Sequence, residues 1–404
     1  METEELRPET LEYIRSRSPE YRAMMGQYFT PKSLRREVLR RIPRLIEPKV
    51  LDPACGTGEF LVSAREHFVR PKLFCWEIDP ELGKIAKKLI PDAQIEIIDS
   101  LAKPFSEEFD VVVTNPPYYE FKPSDEIREK FEEILWGRVN IYSLFIYLAV
   151  RVVKPGGYVG LVVSSSMNNG AYFRKLREYI AKNTSIEYMK VLDGSRIFSD
   201  ANHTFQILVM RKRGKGELDL GNENYVLDLN GSKIFSEEAG LLRKTLNHSY
   251  TLRELGYSVR TGKIVWNKNK EKLVDNPRDG ILLIWSHNIR DGKLVLENKP
   301  GKPQYIVWPE EKADRGPAIV TSRIVGHPKR ASLRASLVPE GTIFVAENHV
   351  NVIYPRKSAP MRELLAIVRW LNSPEAQKVI RAITGNTQIS KNELERIIPI
   401  RLDF

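Results

Sequence analysis

The chain has 404 residues, 42% of them hydrophobic, which is enough for two or three domains with cores of their own. A formal net charge of +11 suits a polyanionic partner such as nucleic acid, and no apolar run is long enough to cross a membrane. With a polar start at Met1 to Pro8, two cysteines (Cys55 and Cys75) and scattered histidines, neither a signal sequence, nor a disulfide framework, nor a metal site is expected, and the cytoplasm is the default compartment.

Residues Glu2 to Ala23 are polar and charged, and read as a helix and a loop. Gly26-Gln27-Tyr28-Phe29-Thr30-Pro31 follows, then Leu34, Val38, Leu39 and Ile42 at helical spacing. Thr30 reads as an N-cap and Pro31 as the first helical residue. Phe29 either leans on a ligand or closes a core.

Lys49 to Cys55 (KVLDPAC) reads as a short strand broken by Gly56-Thr57-Gly58, with a helix from Glu59 to Phe68 behind it. Glycines between a strand and a helix let backbone amides approach a ligand closely. The next strand, Lys72 to Trp76, ends in Glu77-Ile78-Asp79-Pro80, so an acidic residue stands about 20 positions after the loop, where it can accept from ribose hydroxyls. A third strand, Gln94 to Ile98, ends in Asp99-Ser100, whose carboxylate suits an adenine amino group. Each strand thus carries polar residues at its carboxyl end, a nucleoside-binding edge. The dinucleotide fingerprint is incomplete, because a third glycine is missing and Asp52 precedes the loop. That carboxylate would repel a pyrophosphate and favour a cation, so a sulfonium with an amino-acid tail fits better than NAD.

The fourth strand, Asp110 to Thr114, runs through three valines, as a strand covered on both faces should. It ends in Asn115-Pro116-Pro117-Tyr118. Neither proline can continue a central strand, so an amide, a rigid turn and an aromatic ring gather at the strand's end. The Asn115 side-chain oxygen and the Pro116 carbonyl are two acceptors for one amino group, and Tyr118 offers a stacking face.

Tyr119 to Gly137 is polar, read as a loop or as a surface helix over Glu126 to Leu135. Asn140 to Val153 is a strongly apolar helix stopped at Lys154-Pro155-Gly156-Gly157, followed by a buried strand at Tyr158 to Ser164 and a helix from Ala171 to Lys182. Ile186 to Leu192 and Thr204 to Met210 read as a closing strand pair. Composition then shifts, giving domains of 1–248 and 249–404. The second alternates apolar runs (Gly280 to Trp285, Lys293 to Leu296, Pro317 to Ile324, Thr342 to Ala346, Val350 to Tyr354) with glycine and proline turns, and ends in helices at Met361 to Leu371 and Pro374 to Thr384. It carries cations suited to DNA: Arg260 and Lys263 near Trp266, then Arg323, Lys329, Arg330 and Arg334.

The set FTP (Phe29 to Pro31), DPACGTG (Asp52 to Gly58), EIDP (Glu77 to Pro80), Asp99-Ser100 and NPPY (Asn115 to Tyr118) resembles the S-adenosylmethionine-dependent N6-adenine DNA methyltransferases of the NPPY, or gamma, class. The motif order is similar to the group with a C-terminal target-recognition domain, and the likeness weakens past Lys215. The resemblance implies an α/β, Rossmann-like, mostly parallel sheet followed by an α+β recognition domain. It implies that double-stranded DNA is bound in a basic cleft between the domains, with the target adenine flipped out. Asn115, Pro116, Pro117 and Tyr118 would act on the base, and Phe198 would stack on it. Thr30, Asp52 and the loop Ala54, Cys55, Gly56 and Gly58 would hold the methionine portion of the cofactor, Glu77 its ribose and Asp99 its adenine. Phe29, Ile78, Ser100, Pro117 and Phe145 would line the pocket, with Asn115 at its edge. Thr384 to Ser390 resembles the tail of such recognition domains. A monomer is expected, with a cognate restriction endonuclease as a candidate partner. Transfer to the N4 of cytosine, to RNA or to a protein glutamine stays open, as does an inactive DNA-binding specificity subunit.

Overall fold

A computed structural model of the protein describes residues 6–192, 204–217, 222–229, 231–246, 249–290, 292–297, 299–323, 332–383 and 389–402. The chain divides into two compact units, Met1–Asp228 with Ser232–Ala239, and Leu229–Gly231 with Gly240–Phe404.

The first unit begins with three helices, α1 (Pro8–Ser16), α2 (Pro19–Met24) and α3 (Lys32–Leu39). It continues β1 (Lys49–Asp52), α4 (Glu59–His67), β2 (Lys72–Glu77), α5 (Pro80–Leu89), β3 (Gln94–Ile97) and β4 (Phe109–Thr114). Then come β5 (Glu120–Phe121), α6 (Asp125–Lys130), β6 (Val139–Asn140), α7 (Ile141–Val152), β7 (Val153–Ser164), α8 (Arg174–Asn183), β8 (Thr184–Leu192) and β9 (Phe205–Lys212). Seven of these strands form one sheet in the order β3-β2-β1-β4-β7-β9-β8. β3 to β7 run parallel, while β9 is antiparallel to both of its neighbours.

The valine run of β4 shows why this sheet needs helices on both faces. Val111 and Val113 pack with α3 and α4 residues on one side, while Val112 packs with α7 on the other, as the two-residue period of a strand requires. All three are fully buried. In α7 only Arg151 escapes burial, so the helix fills the space beneath the sheet instead of lying on its surface. The chain winds outward from β1 to β3 and then returns to place β4 beside β1. That reversal of direction is the switch point at which α/β sheets bind ligands.

Two local expectations change. α3 starts after Pro31, whose ψ of 152° keeps it extended, so Thr30 is not the cap of that helix. The two cysteines are paired as a disulfide, Cys55–Cys75, against the expectation of none. Sheet register explains the pairing: Asp52 lies opposite Cys75, and the Cys55 N–H donates to the Trp76 carbonyl, so the turn after β1 folds back over β2.

The second unit holds a four-stranded antiparallel sheet, ordered Tyr257–Thr261, Val350–Pro355, Ala318–Ser322 and Ala335–Val338. A five-stranded mixed sheet includes Ile281–Ile284 and Ile343–Ala346 as a parallel pair. Helices Met361–Leu371 and Pro374–Ile383 pack with the first of these sheets in one core, with Ile367, Leu371 and Ile380 fully buried beside Ile319 and Ile353. This is an α+β unit.

Candidate active site

The carboxyl ends of β1, β2 and β4 open onto one cavity of about 340 Å³. Gly56 and Gly58 bend the chain between β1 and α4 with φ of +56° and +87°. A side chain at Gly58 would lie 3.1 Å from Ile90 Cδ1, so glycine serves both conformation and packing there. Asp52, at the end of β1, is buried and accepts from the Ala54 N–H at 3.1 Å. Burial pushes its carboxyl up to about 7, with the nearby Glu77 acting in the same direction. Glu77 closes β2, and its two oxygens accept from the N–H groups of Gly56 (2.7 Å) and Asp79 (2.9 Å). Burial raises its pKa as well. Asp99 accepts from the Leu101 N–H at 2.9 Å, and the Ser100 hydroxyl donates to the Pro53 carbonyl at 2.6 Å, fixing the turn after β3.

The cavity wall includes Phe29, Thr30, Asp52, Ala54, Cys55 and Gly56. It also includes Glu77, Ile78, Asp99, Ser100, Asn115, Pro117 and Phe145, so these expected cofactor residues share one space. Gly58 stands behind the wall, in the turn that shapes it. The same wall shows what sequence reasoning left out: Met24, Met25, Gln27 and Tyr28 ahead of Phe29, and Tyr119, Phe121 and Ile141 beyond the Asn-Pro-Pro-Tyr turn. Their positions come from pairing far along the chain. β5 pairs with β6, and the Ile141 N–H donates to the Tyr119 carbonyl, which brings residues 119–121 and 141 together.

The N-terminal segment braces the glycine loop. Thr10 Oγ1 donates to Glu59 Oε1 and lies 2.9 Å from Thr57 Oγ1, and the Arg7 N–H donates to Glu59 at 2.7 Å. Arg35 of α3 and Glu59 of α4 form a buried ion pair at 2.6 Å. Removing one partner of such a pair strands a charge in the core, at a cost of about 3–5 kcal/mol.

On the β4 turn, Asn115 Nδ2 donates to the Tyr28 carbonyl at 2.7 Å. The Tyr118 hydroxyl lies 2.5 Å from Asn115 Oδ1 and 2.5 Å from the Val162 carbonyl. The Tyr118 ring packs against Tyr28 (5.6 Å between centroids) and Phe205 (5.2 Å), both edge-on, with Tyr142 beyond. Burial holds its hydroxyl protonated, well above the ordinary tyrosine value. Phe198, Lys329, Arg330 and Thr384 to Gln388 lie outside the described residues.

In the second unit, the Arg260 guanidinium sits 5.6 Å over the Tyr354 ring, and Lys263 pairs with Asp314 at 3.0 Å. Arg323 follows one strand and Arg334 precedes its antiparallel partner, with Arg334 exposed and Arg323 donating to the Asn348 carbonyl.

The donor set tests which ligand the cavity fits. Asp52, Glu59, Glu77, Asp79 and Asp99 line it, and among the described residues no lysine, arginine or histidine does. Such a wall rejects a pyrophosphate and suits a nucleoside that carries positive charge, as S-adenosylmethionine does on its sulfonium and amino group. A parallel sheet with this cavity at its switch point, bordered by an Asn-Pro-Pro-Tyr turn, defines an S-adenosylmethionine-dependent amino-methyltransferase. Residues 9–250 match the family model of the N-6 DNA methylases, and the chain belongs to that family. It is an adenine-type DNA methyltransferase with S-adenosylmethionine as cofactor.

Over 437 aligned residues the chain is 26% identical to the type II methyltransferase M.BsuBI of Bacillus subtilis, covering 92% of this chain and 86% of that protein. It is 25% identical over 403 residues to the type II methyltransferase M.TthHB8I of Thermus thermophilus, covering 92% and 90%. Among solved structures, a class I S-adenosylmethionine-dependent methyltransferase from Listeria monocytogenes superposes with a TM-score of 0.42 at 25% identity, covering 48% of this chain and 63% of that one.

Proposed function

We propose that the enzyme methylates the exocyclic N6 of an adenine rotated out of double-stranded DNA, as the modification member of a restriction-modification pair. The observation that carries this reading is the placement of Asn115 in the wall of the acidic cavity, on a turn made rigid by two prolines. The target amino group is buried in a duplex, so the base must leave the stack at a cost of about a few kcal/mol. Asn115 Oδ1 and the Pro116 carbonyl accept the two amino hydrogens and hold the nitrogen lone pair towards the cavity. Pro117 borders that space, and the rings of Tyr118 and Phe198 offset the lost base stacking. Catalysis here is positioning and electrostatics.

In the cofactor cavity Asp52, Thr30 and the Ala54 to Gly58 loop hold the amino-acid end, Glu77 the ribose and Asp99 with Ser100 the adenine. Phe29, Ile78 and Phe145 supply apolar walls. Bound S-adenosylmethionine supplies the electrophilic methyl group. The second unit reads the DNA sequence, with Arg260, Lys263, Arg323, Lys329, Arg330 and Arg334 as contacts. The two type II methyltransferases reported above support the modification role. A cognate restriction endonuclease, action as a monomer and a cytoplasmic site complete the reading.

The test is Asn115→Ala. The variant should bind cofactor within threefold of the parent and lose methyl transfer by at least a hundredfold. Single-molecule sequencing of DNA treated with the parent enzyme should show methyl-adenine at one short motif. An Asn115→Ala protein that still methylates overturns the mechanism, and methyl-cytosine overturns the base assignment.

A further inference from the structure

We infer that the main-chain carbonyl of Tyr28 is a positioning group for methyl transfer, which orients the Asn115 amide and makes asparagine, rather than its isosteric carboxylate, the working residue at 115. The inference rests on the proposed role of Asn115 as an acceptor for the base's amino group.

A side-chain amide carries two donors on one end and an acceptor on the other, and only its neighbours decide which end faces which way. Among the described residues, two neighbours hydrogen-bond with the Asn115 side chain. The Tyr118 hydroxyl lies 2.5 Å from both Oδ1 and the Val162 carbonyl, so its one proton is shared between two acceptors and it does not by itself fix the amide. The Tyr28 carbonyl, 2.7 Å from Nδ2, can only accept. It therefore settles the choice: the NH₂ end points at Tyr28 and the oxygen points away, as an acceptor for an amino group must.

That carbonyl is itself held in place. The Gln27 N–H donates to the Arg22 carbonyl at 2.8 Å, and the Gln27 side chain accepts from the Tyr13 hydroxyl at 3.1 Å. Gly26, at a φ of +66°, lets the segment lie against the catalytic turn, since a Cβ there would sit 2.7 Å from the Tyr118 nitrogen. The Tyr28 ring, packed edge-on to Tyr118, fixes the other side of the peptide. The segment before Phe29 is thus the rigid surface against which the asparagine is set.

An ionised carboxylate at 115 would place oxygen against oxygen at the 2.7 Å contact, whereas a protonated carboxyl could donate across it. The test is the rate of Asn115→Asp divided by that of the parent, measured in single turnover from pH 5.5 to 9. The carboxylates that line the cavity, Asp52, Glu59, Glu77, Asp79 and Asp99, are common to both proteins, so dividing by the parent cancels their contribution. The facing tyrosines are Tyr118 on the same turn, Tyr28 opposite and Tyr142 beyond. Of these, Tyr118 and Tyr142 are held protonated well above this range.

At saturating cofactor the ratio should fall tenfold per pH unit above the pKa of the introduced carboxyl. A ratio flat with pH, at any level, overturns the inference. Asn115→Ala, run in parallel, separates the two readings: if it methylates at the parental rate, the acceptor role of Asn115 has failed. If it is dead while Asn115→Asp shows a flat ratio, only the positioning role has failed. Gly26→Ala is the second variant, and should lower kcat at least tenfold with KM for DNA within threefold. An unchanged kcat there also overturns the inference.

Discussion

Replacing Asp52 by asparagine offers a quantitative probe of the cavity's charge. Burial lifts the Asp52 carboxyl from its ordinary 3.8 to about 7. At 1.36 kcal/mol per unit, holding it ionised in the unliganded protein therefore costs on the order of 4 kcal/mol. An acid whose pKa is raised on folding adds stability that is complete below its unfolded pKa and is lost as pH rises through the folded value. The unliganded enzyme should thus lose stability between pH 4 and 7, about 2 kcal/mol of it between pH 5.5 and 7. Glu77, raised by the same burial, contributes a slope of the same sign. The cationic cofactor reverses the preference, because it binds the ionised carboxylate better. Its Kd should fall about tenfold per pH unit up to 7 and then level, roughly 30-fold in all between pH 5.5 and 8.5. Titration calorimetry across that range, in buffers of different ionisation enthalpy, should show net proton release near pH 7. With Asp52→Asn the Kd should be weaker at pH 8.5 and less dependent on pH than the parent's, and the stability slope should shrink to what Glu77 contributes. A parental Kd that is flat with pH, or a variant that keeps the parental profile, refutes the reasoning.

Three further outcomes follow from the same geometry. Gly58→Ala must hold a φ of +87° and bring Cβ to 3.1 Å from Ile90, so thermal denaturation should show a loss of about 1–3 kcal/mol together with weaker cofactor binding. The Cys55–Cys75 disulfide closes a separation of 20 residues, worth about 3 kcal/mol by chain entropy, so a phosphine reductant or Cys75→Ala should lower Tm by several degrees. Arg334→Ala, at an exposed site just before a strand, should reduce the salt dependence of DNA binding by about one phosphate contact while leaving cofactor affinity untouched in a fluorescence titration.

Much of the site was legible because its chemistry sits where apolar runs stop. Asp52 and Glu77 end strands and Asp99 and Asn115 come just after them, and parallel strands gather their carboxyl ends on one edge, so reading the strands was enough to bring these residues together. Charge sign was legible too, since a carboxylate ahead of the glycine loop argued for a cation before any cavity was seen. In the second unit the β-rich alternation and its two long helices were readable from turn residues and helical period alone.

What the sequence could not carry were relations between distant segments and relations made by the main chain. The Cys55–Cys75 pair depends on the register of β1 against β2, which no spacing encodes. The brace of Thr10 and Arg7 on the glycine loop needs the path of the first helix across α4. Tyr28 acts on Asn115 through a peptide carbonyl, a group every residue has, so nothing in its side chain announces the contact across 87 positions. Side-chain chemistry is local and visible in one dimension. The orientation of an amide is set by whichever acceptor the fold brings to it, and only the tertiary structure decides that.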